Sequence, residues 1–90
     1  MKATLKLPED FDDFYAREVE AKGVFFDAIA SRDGRDVPLT FYDPARLAQD
    51  IEEELRSGRS LAIRNLIVVE RVARENMTAA VEALGPEFFD

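Results

Sequence analysis

The pair Asp33-Gly34 stands between two segments rich in β-formers, residues 24–30 and 37–42, and restricts the fold more than any other feature of the chain. Gly accepts the positive φ that a tight hairpin turn needs, and Val, Phe, Ile and Tyr suit a pleated, half-buried surface. The spacing predicts an antiparallel hairpin over residues 24–42. Its second arm alternates, with Val37, Leu39 and Phe41 on one face. Pro38 has no N–H to give to a ladder, so this arm lies at an edge or turns that position outward.

The clearest helix follows at once. Asp43 is an N-cap and Pro44 fits the first helical position, where its missing N–H costs nothing. Leu47, Ala48, Ile51 and Leu55 then recur at helical spacing, Arg56 suits the C-terminal dipole, and Gly58 supplies a left-handed stop. Upstream, residues 4–7 alternate as an edge strand closed by Pro8. Phe11, Phe14, Tyr15, Glu18 and Val19 fall at i, i+3, i+4, i+7 and i+8, an amphipathic helix pattern ending at Lys22-Gly23. A strand over residues 15–21 is the competing reading. Residues 61–72 form the longest strand candidate. Both of its faces are partly apolar, as in a central strand covered on both sides. Arg64-Asn65, as a tight turn or bulge, would split it. Met77, Ala80, Val81 and Leu84 form a last helical stripe, ended by Gly85-Pro86.

The order is therefore β-α-β-β-α-β-α, an α+β fold: a single-layer sheet of three to four strands, made of hairpin 24–42 plus the long strand 61–72, packed with two or three helices. Between residues 42 and 61 there is room for a helical crossover, so the third and fourth strands can be parallel, joined right-handedly. Residues 1–90 fit one small globular domain. A chain of this size buries only about 60–65% of its unfolded surface, so burial at a subunit interface is a reasonable way to add stability.

Charge and composition narrow the function. Twelve Lys and Arg against 19 Asp and Glu give a net charge of −7, which disfavours a phosphate backbone as ligand, so no nucleic acid is expected as partner. The chain has no His and no Cys. It therefore lacks imidazole and thiolate ligands, disulfides, and the usual activated nucleophiles, and neither a metal, a cofactor nor a catalytic residue is assigned. No phosphate-cradling glycine loop or nucleophile elbow occurs. The longest apolar run, residues 66–69, is far below the roughly 20 residues of a membrane span. The N-terminus carries no secretory apolar region, so the cytoplasm is the expected location and no membrane partner is expected.

Several residues invite a functional reading. Glu9, Asp10, Asp12 and Asp13, like Asp50 with Glu52, Glu53 and Glu54, offer carboxylates for a cation or a basic partner. Both clusters read more simply as solvated, dipole-matched helix positions, because consecutive helical residues point about 100° apart. Asp27 lies among apolar neighbours. On a sheet face beside Thr40 or Tyr42, and within reach of Asp43 or Glu70, it would be an acid–base candidate; paired with Arg64 or Arg71 it would be structural. Arg64 and Glu70 are separated by about 20 Å if the strand is straight, so each needs a cross-strand partner. Asn65 interrupts an apolar face, as a turn residue or as a group that meets a partner's backbone. Phe88 and Phe89 either fold back on the domain or bury against a second subunit.

These features favour a small acidic, non-enzymatic interaction protein that self-associates as a homodimer and acts through a surface, as an inhibitor, an immunity-type protein or an accessory subunit. Phe88, Phe89, Asp27 and Asn65 are its candidate partner-binding residues. The alternatives are a small carboxylate-dependent or Mg²⁺-assisted enzyme using Asp27, and a structural assembly subunit.

Overall fold

The computed structural model describes residues 2–90. Strand β1 (Thr4–Lys6) leads to helix α1 (Asp13–Lys22), then to the hairpin of β2 (Val24–Arg32) and β3 (Arg35–Tyr42). Helix α2 (Pro44–Arg56) crosses to β4 (Leu66–Val68). Helix α3 (Arg74–Glu82) and a 3-10 turn over Pro86–Phe89 complete the chain. The sheet has the order β1-β2-β3-β4, with β1 and β3 antiparallel to β2 and β4 parallel to β3. This is the α+β architecture and element order that the sequence leads one to expect.

The local chemistry explains most of the boundaries. Asp33 and Gly34 both take positive φ, 50° and 80°, as the tight hairpin demands. Asp12 caps α1 by accepting the Tyr15 N–H at 2.8 Å, and Gly23 ends it in the left-handed conformation. Residues 13–22 are thus helix, not strand. Asp43 caps α2 by accepting the Arg46 N–H at 2.7 Å, with Pro44 in the first turn. Pro38 faces the β4 side of β3, as does Thr40, whose N–H bonds the Asn65 carbonyl. Because β4 begins only opposite Thr40, the missing proline N–H leaves no bond unmade.

Residues 61–72 do not form one long strand. Arg64 and Asn65 form the turn given above as the alternative, with Asn65 at φ 55°, and only Leu66–Val68 pair in the sheet. Asparagine is among the few residues with a side chain that tolerate this conformation. Nor is this strand central and covered on both sides: β4 is an edge, with Leu66 and Val68 exposed. A second departure concerns Phe14, counted above in the apolar stripe of α1; it is 65% exposed, and Tyr15 and Val19 face the core instead.

The core lies on one face of the sheet. Phe25, Ala28, Ala30, Leu39 and Phe41 pack there against Val19 of α1, Met77 and Val81 of α3, and Phe89 of the terminal turn. Helix α2 contributes no buried residue.

Candidate interaction surface

Alternation along the strands decides what the other face of the sheet carries. Thr40 pairs with Leu66 and Tyr42 with Val68, so these side chains share the face opposite the core. The register between β2 and β3 slips between Phe25 and Ala28. This bulge keeps Phe25 and Ala28 both on the core side and puts Phe26 on the second face, where its ring meets Tyr42 edge-on at 6.4 Å.

Helix α2 reaches this face through polar contacts at its N-terminal half. The Tyr42 hydroxyl donates to Asp50 Oδ2 at 2.7 Å, Arg46 Nε donates to Asp50 Oδ1 at 2.9 Å, and an Arg46 guanidinium N–H donates to the Lys22 carbonyl at 3.0 Å. The Asp43 N–H bonds the Gly23 carbonyl at 2.9 Å. Burial, reinforced by the hydrogen bond to Asp50, pushes the Tyr42 phenol up to about 12. The same bond from Tyr42, with that from Arg46, holds the Asp50 carboxyl below its usual range. The Asp50 carboxylate thus accepts from a phenol on the sheet and from a guanidinium on its own helix, charge-assisted bonds that tie α2 to β3.

The C-terminal half of α2 has no such cover. Leu47, Ile51 and Leu55 form one wall of an open groove of about 340 Å³, and Leu61, Ile63 and Leu66 form the other. Leu55 is 62% exposed, Phe26 60%, Val68 47% and Ile51 38%. The groove and the second sheet face thus carry large apolar side chains that the chain itself leaves in water. Clustered apolar exposure of this kind marks association sites far more than scattered single residues do. Around it, Glu52 pairs with Arg56 and Glu54 with Arg59, so most of the acidic run over residues 50–54 is neutralised within the helix and the turn after it.

The four residues singled out in the sequence do not converge. Asp27 is exposed and lies at the bulge beside Tyr15, not beside Thr40 or Tyr42. Burial, followed by the charges of Asp27 and Asp10, raises the Tyr15 pKa above its ordinary value. Asp43, offered as a carboxylate partner for Asp27, is committed to capping α2. Arg71, offered as its ion-pair partner, pairs with Glu20 and Glu75. Asn65 pins β4 to β3: its side-chain amide donates to the Pro38 carbonyl at 2.9 Å. Phe89 is buried in the domain's own core and Phe88 is half-buried edge-on to it at 5.4 Å, so both fold back. An Arg35 guanidinium N–H donates to the Phe89 carbonyl and ties the terminal turn to the hairpin.

Two features escaped the sequence reading. Asp50 is the centre of the α2 anchor rather than part of a solvated face; its spacing of four from Arg46 was the available signal. The stripe Leu47–Ile51–Leu55 reads as a core-facing helix, and nothing in its periodicity says that no element covers it. Among the described residues no group of acidic side chains could hold a metal ion, and no helix is long and apolar enough to cross a membrane. Comparison with known protein families, with curated proteins and with solved structures found no match.

Proposed function

We propose that this is a small interaction protein, non-enzymatic, that works through the surface built by α2, the 57–65 segment and the second face of the sheet. Self-association is its first form. Contact with another protein, as an inhibitor or an accessory subunit, is the wider class. One observation carries the reading: a 13-residue helix with a continuous apolar stripe buries none of its residues, while the sheet face beside it is also apolar and open. An amphipathic helix normally gains its stability by burying that stripe. The position of Asp27, next to a tyrosine rather than a second carboxylate, lends weight to surface recognition over carboxylate chemistry.

The test is a pair of charge insertions in the stripe, Ile51→Glu with Leu55→Glu. Both sites are exposed, so the circular dichroism spectrum should not change. Light scattering should show association in the wild type and none in the variant. Association that persists unchanged in the folded variant would remove this surface from consideration.

A further inference from the structure

We infer that two copies of this chain associate edge to edge through β4, antiparallel about a twofold axis at Ile67, forming one continuous sheet with both α2 helices on the same face. The inference rests on the surface reading above and names its occupant.

Backbone direction is the first support. The Asn65 carbonyl and the Val69 N–H both bond β3. Alternation in a parallel ladder then turns the N–H and C=O groups of Leu66 and Val68 to the free edge. An axis at Ile67 sets Leu66 opposite the partner's Val68, and Val68 opposite the partner's Leu66. Outward groups meet outward groups in the closely spaced pairs of an antiparallel ladder, and none is left over.

Charge is the second. Arg64 lies two residues before Leu66, and Glu70 lies two residues after Val68. Both are exposed, and neither has an ion-pair partner among the described residues. Half a turn about Ile67 sets Arg64 and the partner's Glu70 just beyond one end of the ladder, and Glu70 and the partner's Arg64 just beyond the other. The turn at Asn65 carries Arg64 off the strand line toward Phe26 and Pro38, so its long side chain has to reach back along the edge to meet the carboxylate. An isologous contact requires this self-complementarity.

The third support is a contrast between the two edges. Edge strands are commonly blunted by charge or proline. On β1 this is so: Lys6 pairs with Asp36 and Pro8 follows. The strand Leu66-Ile67-Val68 holds neither, and its exposed Leu66 side chain lines the groove of α2. A ladder this short is far below the roughly 1,200 Å² of a stable interface, so burial of Leu66, Val68, Ile51 and Leu55 against their counterparts must supply the rest.

Light scattering on the full chain tests the pairing. The wild type is expected at twice 10.2 kDa. Arg64→Glu should weaken the dimer roughly tenfold or more, because the axis changes both ends at once. Combining it with Glu70→Arg should restore the dimer. Val68→Pro removes an outward N–H and no bond to β3, so a folded monomer is expected. If that variant does not fold, the charge exchange decides alone. A wild type at single-chain mass overturns the pairing. So does a dimer abolished by Ile51→Glu with Leu55→Glu but indifferent to the charge reversal; that result leaves the surface reading standing and removes only the edge.

Discussion

At the scale of single residues, the α2 anchor depends on one hydroxyl. Tyr42 is buried, and its proton bridges the sheet to Asp50. The folded phenol titrates near 12 against an ordinary 10.0, so its contribution is fully present below pH 10 and is lost as pH rises from there toward 12. The Asp50 carboxyl is held below 3.8, so its contribution is present above that pH and is lost as pH falls below it. Removing the hydroxyl in Tyr42→Phe should cost about 1.5–3 kcal/mol at neutral pH, the range for a hydrogen bond to a charged group. The variant should also lose the Tyr42 part of the alkaline decline in stability. Thermal melts from pH 8 to 12, with tyrosinate absorbance followed in parallel, measure both. A variant whose alkaline limb matches the wild type would show that the Tyr42–Asp50 bond does not hold the helix.

At the scale of elements, legibility tracks how local the cause is. The Asp33-Gly34 turn, the Asp43-Pro44 start and the Lys22-Gly23 stop are decided by neighbouring residues, and all stand where the sequence puts them. The extent of β4 is not local. Residues 61–72 carry a strand-like pattern throughout; of the two readings it allowed, the split at Arg64-Asn65 is the one that forms, with Asn65 left-handed, while no local signal marks the end of the strand at Val68. The bulge at Phe26 and Asp27 contains no glycine or proline, so the alternation misleads about which face Asp27 occupies. The candidate surface was half legible. The stripe of α2 is plain, but whether a stripe is covered depends on elements distant in sequence. The terminal turn illustrates the same limit. Two aromatics near the end of the chain suit an interface or a core equally, and the structure places Phe89 in the core. Phe89→Ala should therefore cost about 3–5 kcal/mol, as for a large core residue, in urea unfolding monitored by circular dichroism. The mass of the molecules that remain folded should match the wild type. A dimer dissociated by this change with little loss of stability would instead put the aromatic at an interface.

At the scale of the whole molecule, the sheet has two faces and the chain covers one well. Helices α1 and α3 with the terminal turn seal the core side, whereas α2 is tethered to the other side by hydrogen bonds and leaves apolar side chains in water. A second copy seated on β4 would cover part of that face and couple association to folding. Stability then depends on concentration by mass action. For a hundredfold increase, the gain is about 2.7 kcal/mol per dimer, or roughly 1.4 per chain, which raises Tm by about 5–10 °C for a domain of this size. Scanning calorimetry on the wild type across such a range should show that rise. Arg64→Glu should reduce it, because the folded monomer competes at the lower concentrations, and Arg64→Glu with Glu70→Arg should bring it back. A wild-type Tm that does not move with concentration would mean that the open face contributes nothing to folding through a second copy, and that the one-sided core is sufficient to hold the sheet.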